Sequence, residues 1–275
     1  MSERSVSIPL FLAGLPGKMA AEVATLAAAS TDFRLLPQGL TSPVHEGERL
    51  ALGADWVELI GDDSRASVSL PADTVAVDYT TPDAALDNAR WYAEAGVPFV
   101  MGTTGFDAAA VRETVSRSEA CAVVAPNMAP PIVLLQAAAR WLAESFPGAL
   151  AGAELSVRES HQQGKRDTSG TAKALVASLN ALGVGFSVDA IDKVRDPELQ
   201  RSEIGVPEEH LTGHAFHRYD LSAAAGTVGL VLEHNVLGRR VYAEGTLAAA
   251  RFLSRQIGSG ARGRVFSMED VLRGG

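Results

Sequence analysis

The stretch that most constrains what this chain can fold into lies within its first thirty residues. Residues 6–13 are an apolar run of strand length. Gly14-Leu15-Pro16-Gly17-Lys18-Met19-Ala20 follows, and apolar residues then recur at helical spacing over residues 21–29. A strand that turns on glycines into a helix offers backbone N–H groups and the positive end of the helix dipole to an anion. Dinucleotide pyrophosphates are taken up by such an arrangement. The glycines follow G-x-x-G, with Ala20 where the last glycine of the longer dinucleotide pattern falls, and a small residue is enough there for close packing. A tight turn that binds nothing fits the same residues, so the motif by itself leaves both readings open.

The pattern repeats downstream. Strand-like runs at 33–36, 56–60, 75–80, 98–101 and 122–124 alternate with helical stretches, one of them opened by Pro82. Such alternation predicts an α/β fold, a Rossmann-like doubly wound parallel sheet. Its ligands bind beyond the carboxyl ends of the strands, where Gly102-Thr103-Thr104-Gly105 and Ala125-Pro126-Asn127-Met128 fall. A helix over 132–146 is expected to lead into a second domain. There residues 153–157 alternate as a half-buried strand does, 172–182 are helical, and 192–210 are polar and irregular. Residues 212–221 and 227–235 read as two further strands, and 242–253 as a closing helix. The expected division is a dinucleotide-binding domain, 1–128 with 241–275, and a substrate-binding and oligomerisation domain, 129–240. The second is expected to be an α+β unit on a mixed or antiparallel sheet. A sheet with few helices to cover it predicts a homodimer or homotetramer.

Chemistry concentrates between residues 158 and 173, Arg-Glu-Ser-His-Gln-Gln-Gly-Lys-Arg-Asp-Thr-Ser-Gly-Thr-Ala-Lys. This polar segment joins the expected strand to the expected helix. Ser169-Gly170-Thr171 stands at the helix start, where a hydroxyl can cap and the N–H groups can hold a carboxylate. His161 is a group that can carry a proton near neutral pH, and Lys165 can serve as anion binder or acid. A capped strand-to-helix loop without function is the plain alternative.

Charge and composition narrow the partners. The net charge of −9 argues against nucleic acid, and no apolar run is long enough to span a bilayer. Anions remain possible ligands where Arg158, Lys165, Arg166 and Lys173 converge. Cys121 is the only cysteine, which excludes an intramolecular disulfide and suits a reducing compartment, the cytoplasm or an equivalent such as a plastid. His210, His214, His217 and His234 invite a metal reading. In a strand, however, 214 and 217 point to opposite faces and no acidic or cysteine cluster completes a set, so no metal is expected.

The whole segment resembles the signature of the 4-hydroxy-tetrahydrodipicolinate reductase family of lysine biosynthesis: Glu-x-His, Lys four residues beyond, then Asp and Ser-Gly-Thr-Ala. These stand here as Glu159, His161, Lys165, Asp167 and Ser169 to Ala172. Gln162 replaces the family's common second histidine, and Asp167-Thr168-Ser169 is one residue shorter than the usual Asp-x-Pro-Ser. Both departures, and Gly213-His214-Ala215-Phe216-His217, are similar to the family's plant-like branch. The resemblance implies NAD(P)H-dependent reduction of a cyclic dicarboxylate, with His161 and Lys165 catalytic and Gln162, Ser169, Gly170 and Thr171 binding substrate. It implies cofactor contacts from Gly14 to Met19, from Gly102 to Thr104 and from Ala125 to Met128. Within the cofactor site, no Asp or Glu occurs from 33 to 45, where an acid about 20 positions after the first glycine bonds the ribose of NAD. Thr41, Ser42, Lys18 and Arg34 are candidate partners for a 2′-phosphate, so NADPH is the expected preference, with NADH possible. Two rivals stay open on these residues, an aspartate- or homoserine-type dehydrogenase and a non-catalytic nucleotide sensor.

Overall fold

The computed structural model describes residues 7–53 and 55–274, so Val6 of the expected first strand lies outside the described residues. The chain forms two compact units, the first from residues up to 130 together with 240–274 and the second from residues 131–239.

The first unit is built on an eight-stranded sheet. In chain order its strands are β1 (Ile8–Ala13), β2 (Phe33–Leu40), β3 (Arg49–Leu52), β4 (Asp55–Ile60), β5 (Val75–Asp78), β6 (Phe99–Met101) and β7 (Ala122–Val124), with β12 (Val265–Phe266) returning late in the chain. The spatial order is β12-β7-β6-β5-β1-β2-β4-β3, with every pairing parallel except β3 with β4. The strand order therefore reverses at β1 and β5, the place where a doubly wound sheet opens a crevice. Helices α1 (Lys18–Ala28), α2 (Pro82–Glu94) and α3 (Ala108–Ser116) connect these strands. Ala85, Ala89 and Tyr92 of α2 and Val111 and Val115 of α3 pack on Phe11, Ala76 and Phe99 of the sheet. Burial of such side chains contributes about 1.5–3 kcal/mol for each large one and sets the position of the loops above them.

Two differences from the sequence reading have local causes. β2 continues through Pro37 to Leu40, beyond the expected end at 36, because the β1–β2 register shifts between Leu10 and Leu12, opposite the residue that lacks an N–H. The four residues of β3 pair back on β4 as a hairpin, a strand too short to leave a clear alternation in the sequence.

The second unit begins with α4 (Pro130–Ser145), of which all but the first residue belongs to it, followed by β8 (Glu154–His161) and α5 (Gly170–Ala181). Then come β9 (Asp192–Val194), the single turn α6 (Pro197–Leu199), β10 (His214–Ala223) and β11 (Val228–Leu237). The sheet order is β11-β10-β8-β9, antiparallel except for β8 with β9, so the sheet is mixed. Leu135 and Ala139 of α4 and Ala172, Leu175 and Val176 of α5 pack on Val157 and Tyr219, which share one face of the sheet. The other face is charged rather than apolar: Arg158 pairs with Asp192 and Glu203, and Arg218 with Asp220 and Glu233. Strand alternation explains this, since it turns Val157, Tyr219 and Leu221 toward the helices and Arg158, Arg218 and Asp220 away. The chain returns to the first unit through α7 (Arg240–Gly258) and ends in α8 (Met268–Arg273), whose start carries a capping box between Ser267 and Asp270. Among the described residues no helix is long and apolar enough to cross a membrane.

Candidate active site

In the first unit a cavity of about 480 Å³ opens at the switch point, walled by Gly14, Leu15, Pro16 and Gly17 on one side and by Tyr79, Thr80 and Asn88 on the other. Thr41, Ser42, His45 and Asp62 complete it. Gly14 has φ 97°, and a Cβ there would lie 2.3 Å from the Tyr79 carbonyl oxygen, so the turn admits glycine alone. Helix α1 starts at Lys18, three residues earlier than its apolar spacing suggested, with Gly17 as its N-cap and no side-chain cap. A turn bounded by two glycines against a helix start fits a dinucleotide pyrophosphate.

The other expected cofactor loops sit at the neighbouring strand ends. Gly102 follows β6, and a Cβ on it would come within 2.2 Å of the Tyr79 ring, whose hydroxyl bonds Thr246 Oγ1 at 2.5 Å. Burial pushes the Tyr79 hydroxyl up to about 12, so it stays neutral. Thr103 Oγ1 donates to Asp78 Oδ1 at 3.2 Å. Asn127 Oδ1 accepts from the Ala129 N–H at 2.9 Å and Met128 is buried, which fixes the loop after β7. Lys18 is exposed and Met19 half-buried; neither lines the cavity, nor do Gly102 to Thr104 or Ala125 to Met128. Thr41 is on the wall, but its hydroxyl donates to the Leu15 carbonyl at 2.5 Å and so is already committed.

Sequence reasoning passed over the group that holds these loops together. Asp78, fully buried at the end of β5, accepts from Thr80 N–H (3.0 Å), Thr80 Oγ1 (2.6 Å), Asn88 Nδ2 (2.8 Å), Tyr92 Oη (3.1 Å) and Thr103 Oγ1. One carboxylate thereby ties the loop after β5 to α2 and to the loop after β6. An acid ending an apolar strand was the only signal available.

In the second unit β8 runs on through Arg158 to His161, residues the sequence reading placed in a loop. Alternation turns Glu159 and His161 to the helix-covered face and Ser160 to the other. Both Glu159 and His161 are buried. The segment from Gln162 to Thr168 folds back over the strand end. Arg195, one residue beyond β9, fastens it: its Nε donates to the Lys165 carbonyl at 2.8 Å, its Nη1 to the Glu159 carbonyl at 3.3 Å, and its Nη2 to Glu159 Oε1. Glu159 Oε2 accepts the Ser169 N–H at 3.1 Å. Helix α5 begins at Gly170, yet the Ser169 hydroxyl makes no capping bond; the expected cap is replaced by the Glu159 carboxylate on the backbone. Gln200, fully buried, donates to the His161 carbonyl at 2.7 Å. Arg195, Gln200 and Glu159 thus bring His161, Lys165 and Ser169 to Thr171 to one end of the sheet, with Gln162 partly exposed at the turn's start.

The His161 ring is held on both nitrogens, Nδ1 at 3.1 Å from the His214 carbonyl and Nε2 at 3.2 Å from His217 Nε2. The carbonyl only accepts, so Nδ1 carries the proton. Burial, and then the neighbouring His217, push His161 down to about 3, and the ring rests neutral at pH 7. Burial alone would raise Glu159, but His217, the Arg195 guanidinium and the Ser169 N–H outweigh it and hold the carboxyl at about 2. Lys165 Nζ is paired with Asp167 Oδ1 at 2.8 Å, and that cation lowers the Asp167 carboxyl. Glu159, His161 and His217 have ligand-type atoms within 4.8 Å of one another, so the acid missing from the sequence-level metal reading comes from β8. Both Glu159 oxygens are already engaged by Arg195 and Ser169, and Arg195 and Lys165 supply positive charge nearby, so the cluster suits a proton better than a metal cation.

The neutral burial of His161 predicts a pH dependence of stability. Its folded value, about 3, lies below the unfolded value near 6.5, so the stability it contributes is complete above about pH 6.5 and is lost as pH falls through that window. His214, lowered by burial, and His234, pushed by burial to about 4, act with the same sign. The urea midpoint is expected to fall steadily from pH 7 to 4.5, and His161→Gln to flatten that fall; a midpoint constant over this range contradicts the assignment.

A glycine turn at the switch point of a parallel sheet, in a chain that also carries a His–Lys site beside a helix start, defines an oxidoreductase of the NAD(P)-binding α/β class. The comparisons narrow this. Residues 8–128 match the family model "Dihydrodipicolinate reductase, N-terminus" and residues 131–272 match "Dihydrodipicolinate reductase, C-terminus"; the chain belongs to that family, which works in the diaminopimelate route to lysine. It is 42% identical over 274 residues to probable 4-hydroxy-tetrahydrodipicolinate reductase 2, chloroplastic, of Oryza sativa subsp. japonica, covering 98% of this chain and 84% of that protein. It is also 42% identical over 273 residues to 4-hydroxy-tetrahydrodipicolinate reductase 1, chloroplastic, of Arabidopsis thaliana, covering 98% and 78%. Among solved structures, the dipicolinate-bound dihydrodipicolinate reductase from Paenisporosarcina sp. TG-14 aligns with TM-score 0.65 over 95% of this chain and 98% of that one, at 18% identity, which shows the shared fold.

Proposed function

We propose that this protein reduces 4-hydroxy-tetrahydrodipicolinate to tetrahydrodipicolinate with a nicotinamide nucleotide. The observation that carries the reading is the Arg195–Glu159 clamp, in which Arg195, from beyond β9, fixes His161, Lys165 and the start of α5 at one end of the sheet. Lys165 and the α5 N-terminus, with Ser169, Gly170 and Thr171, hold the two carboxylates, and Gln162 borders them. Such charge-assisted contacts are short and about twice as strong as neutral ones. A nicotinamide nucleotide, when bound, would supply the hydride for ring carbon 4 once the 4-hydroxyl has left as water. The electron pair then moves toward C3, and His161 delivers a proton there. A doubly negative ring beside His161 favours its imidazolium form, which the unliganded site does not hold. Lys165 stabilises the negative charge while the proton is in transit.

For the nucleotide, Gly14 to Gly17 would hold the pyrophosphate, and the strand-end loops of Gly102 to Thr104 and Ala125 to Met128 would hold the nicotinamide. NADPH is the preferred form. Ser42 and His45 border the cavity without any acid between 33 and 45, and Lys18 begins α1. Asp62, on the cavity wall, favours the rival NADH reading, but Arg65 pairs with it at 2.8 Å. The kcat/KM with NADPH is expected to exceed that with NADH by about tenfold, one charge-assisted contact being enough for that ratio. Equal values would remove the preference.

The protein is further proposed to be a homodimer or homotetramer. Strand β11 is an edge strand, with Val228, Leu230, Val231 and Leu237 exposed, and α4 exposes Leu134 and Trp141, with Phe146 exposed just beyond its end. Unpaired edges and apolar side chains of this kind are usually covered. Light scattering at micromolar concentration is expected to give a multiple of 28.8 kDa, and an active monomer would overturn the assignment. The buried single thiol of Cys121 suits a reducing compartment, cytoplasm or plastid. The activity itself is tested by following NADPH absorbance with purified protein and freshly generated dihydrodipicolinate synthase product. Oxidation without that product, or none with it, would refute the reading.

A further inference from the structure

The neutral resting state of His161 raises the question of where its proton comes from, and the sheet register points to an answer. Glu159, His217 and His234 stand directly opposite one another on β8, β10 and β11, a single row on the helix-covered face. His161 lies one step along β8 from that row, with its Nε2 3.2 Å from His217 Nε2. Since His161 Nδ1 carries its proton toward the His214 carbonyl, the short Nε2–Nε2 contact is a hydrogen bond in which His217 donates. The far nitrogen of His217, Nδ1, is buried and has no partner, as are both ring nitrogens of His234, whose ring centroid lies 4.5 Å from that of His217. A buried polar atom without a partner costs about 1–3 kcal/mol, a penalty a purely structural histidine has no reason to retain.

We propose that His217 is the proton-relaying partner of His161, and that the pair takes up one proton when the dicarboxylate binds. The proposal rests on the functional reading above. The step balances as follows. The proton taken up on binding adds to His217 Nδ1, and His217 Nε2 passes its own proton to His161 Nε2. His217 is left neutral in its other tautomer and His161 becomes an imidazolium. Delivery of that proton to C3 returns His161 to neutral, and tautomer exchange of His217, which moves its proton from Nδ1 back to Nε2, restores the starting hydrogen bond, so each turnover consumes one hydride and one proton. Glu159, 3.7 Å from His217 Nε2, stabilises the added charge. The other charged or titratable groups near the pair are Arg195 and Lys165, which oppose a positive charge, and His234 and Tyr219. Both of these rest neutral, His234 because burial pushes it down to about 4 and Tyr219 because burial raises its hydroxyl. At His161 the balance is therefore set against protonation in the free protein, and an arriving dianion tips it.

The test is calorimetric binding of pyridine-2,6-dicarboxylate to the intact protein at pH 7.5 in buffers of different ionisation enthalpy. The native protein is expected to show a dependence corresponding to about one proton taken up per ligand. In His217→Gln, which keeps an N–H to donate but cannot relay, uptake is expected to fall by more than half. The kcat of that variant is expected to fall about tenfold or more, with the alkaline limb of its pH profile moved to lower pH. A structural role for His217 would weaken binding while leaving the proton count and the limb unchanged, and that result would overturn the proposal. So would a native protein that binds the probe with no buffer dependence, a measurement that needs no variant. A folded native protein that neither binds the probe nor turns over the synthase product would instead refute the functional reading itself.

Discussion

Replacing His161 by glutamine is expected to lower kcat roughly 10²- to 10⁴-fold, the range that general acid catalysis contributes, while the KM for the nucleotide stays within about twofold. Glutamine can keep the bond that His161 Nδ1 makes to the His214 carbonyl, so the end of β8 should hold its shape. It cannot carry a proton at any accessible pH. The cavity proposed for the nucleotide is lined by residues 14–17, 40–43, 45, 62, 79–81, 84 and 88, none of which is His161, so cofactor affinity supplies an internal control. Steady-state kinetics with the synthase product, at saturating nucleotide, make the measurement. Full activity in this variant would remove His161 from the chemistry and leave Lys165 as the acid.

Much of the scaffold was legible because its signals are local. A glycine turn between an apolar strand and an amphipathic helix needs only twenty residues to be read, and Gly14 and Gly17 stand where the cavity does. The alternation that marks strands also placed His214 and His217 on opposite faces, as their partners Ser160 and His161 show. The parts that escaped depend on pairings made far along the chain. Arg195 acts on Glu159 across 36 residues, and only because three residues of β9 run parallel to β8. Nothing in the polar stretch 192–210 signals that pairing, so neither Arg195 nor Gln200 stands out there. The row of Glu159, His217 and His234 is equally invisible without the register, since three strands must align to within one residue to form it. Ser169 misled for the opposite reason. Its local pattern is that of a capping residue, yet a buried carboxylate ten positions earlier takes the backbone N–H instead.

The same clamp yields the largest expected effect on stability. Arg195→Met is expected to cost about 3–5 kcal/mol, because it leaves the fully buried Glu159 carboxylate without its cation. Methionine retains most of the packing of the arginine stem, so the loss is chiefly electrostatic. Equilibrium urea unfolding at pH 7.5 measures it. Adding Glu159→Gln to this variant is expected to recover at least half, since the double change removes the stranded charge as well as its partner. The pH dependence supplies a second check. In the variant only His217 and the Ser169 N–H oppose burial, so the folded value of Glu159 rises from about 2 toward its unfolded value. A depressed carboxyl contributes stability above the unfolded value near 4.5 and loses it as pH falls toward the folded one, so the deficit relative to the native protein should shrink as pH falls below about 4.5. Loss of the bonds to the Lys165 and Glu159 carbonyls also frees the segment that carries Lys165, so the KM for the dicarboxylate should rise along with the instability. A variant as stable as the native protein, with an unchanged KM, would mean that Glu159 is held by Ser169 and His217 alone and that Arg195 is incidental to the site.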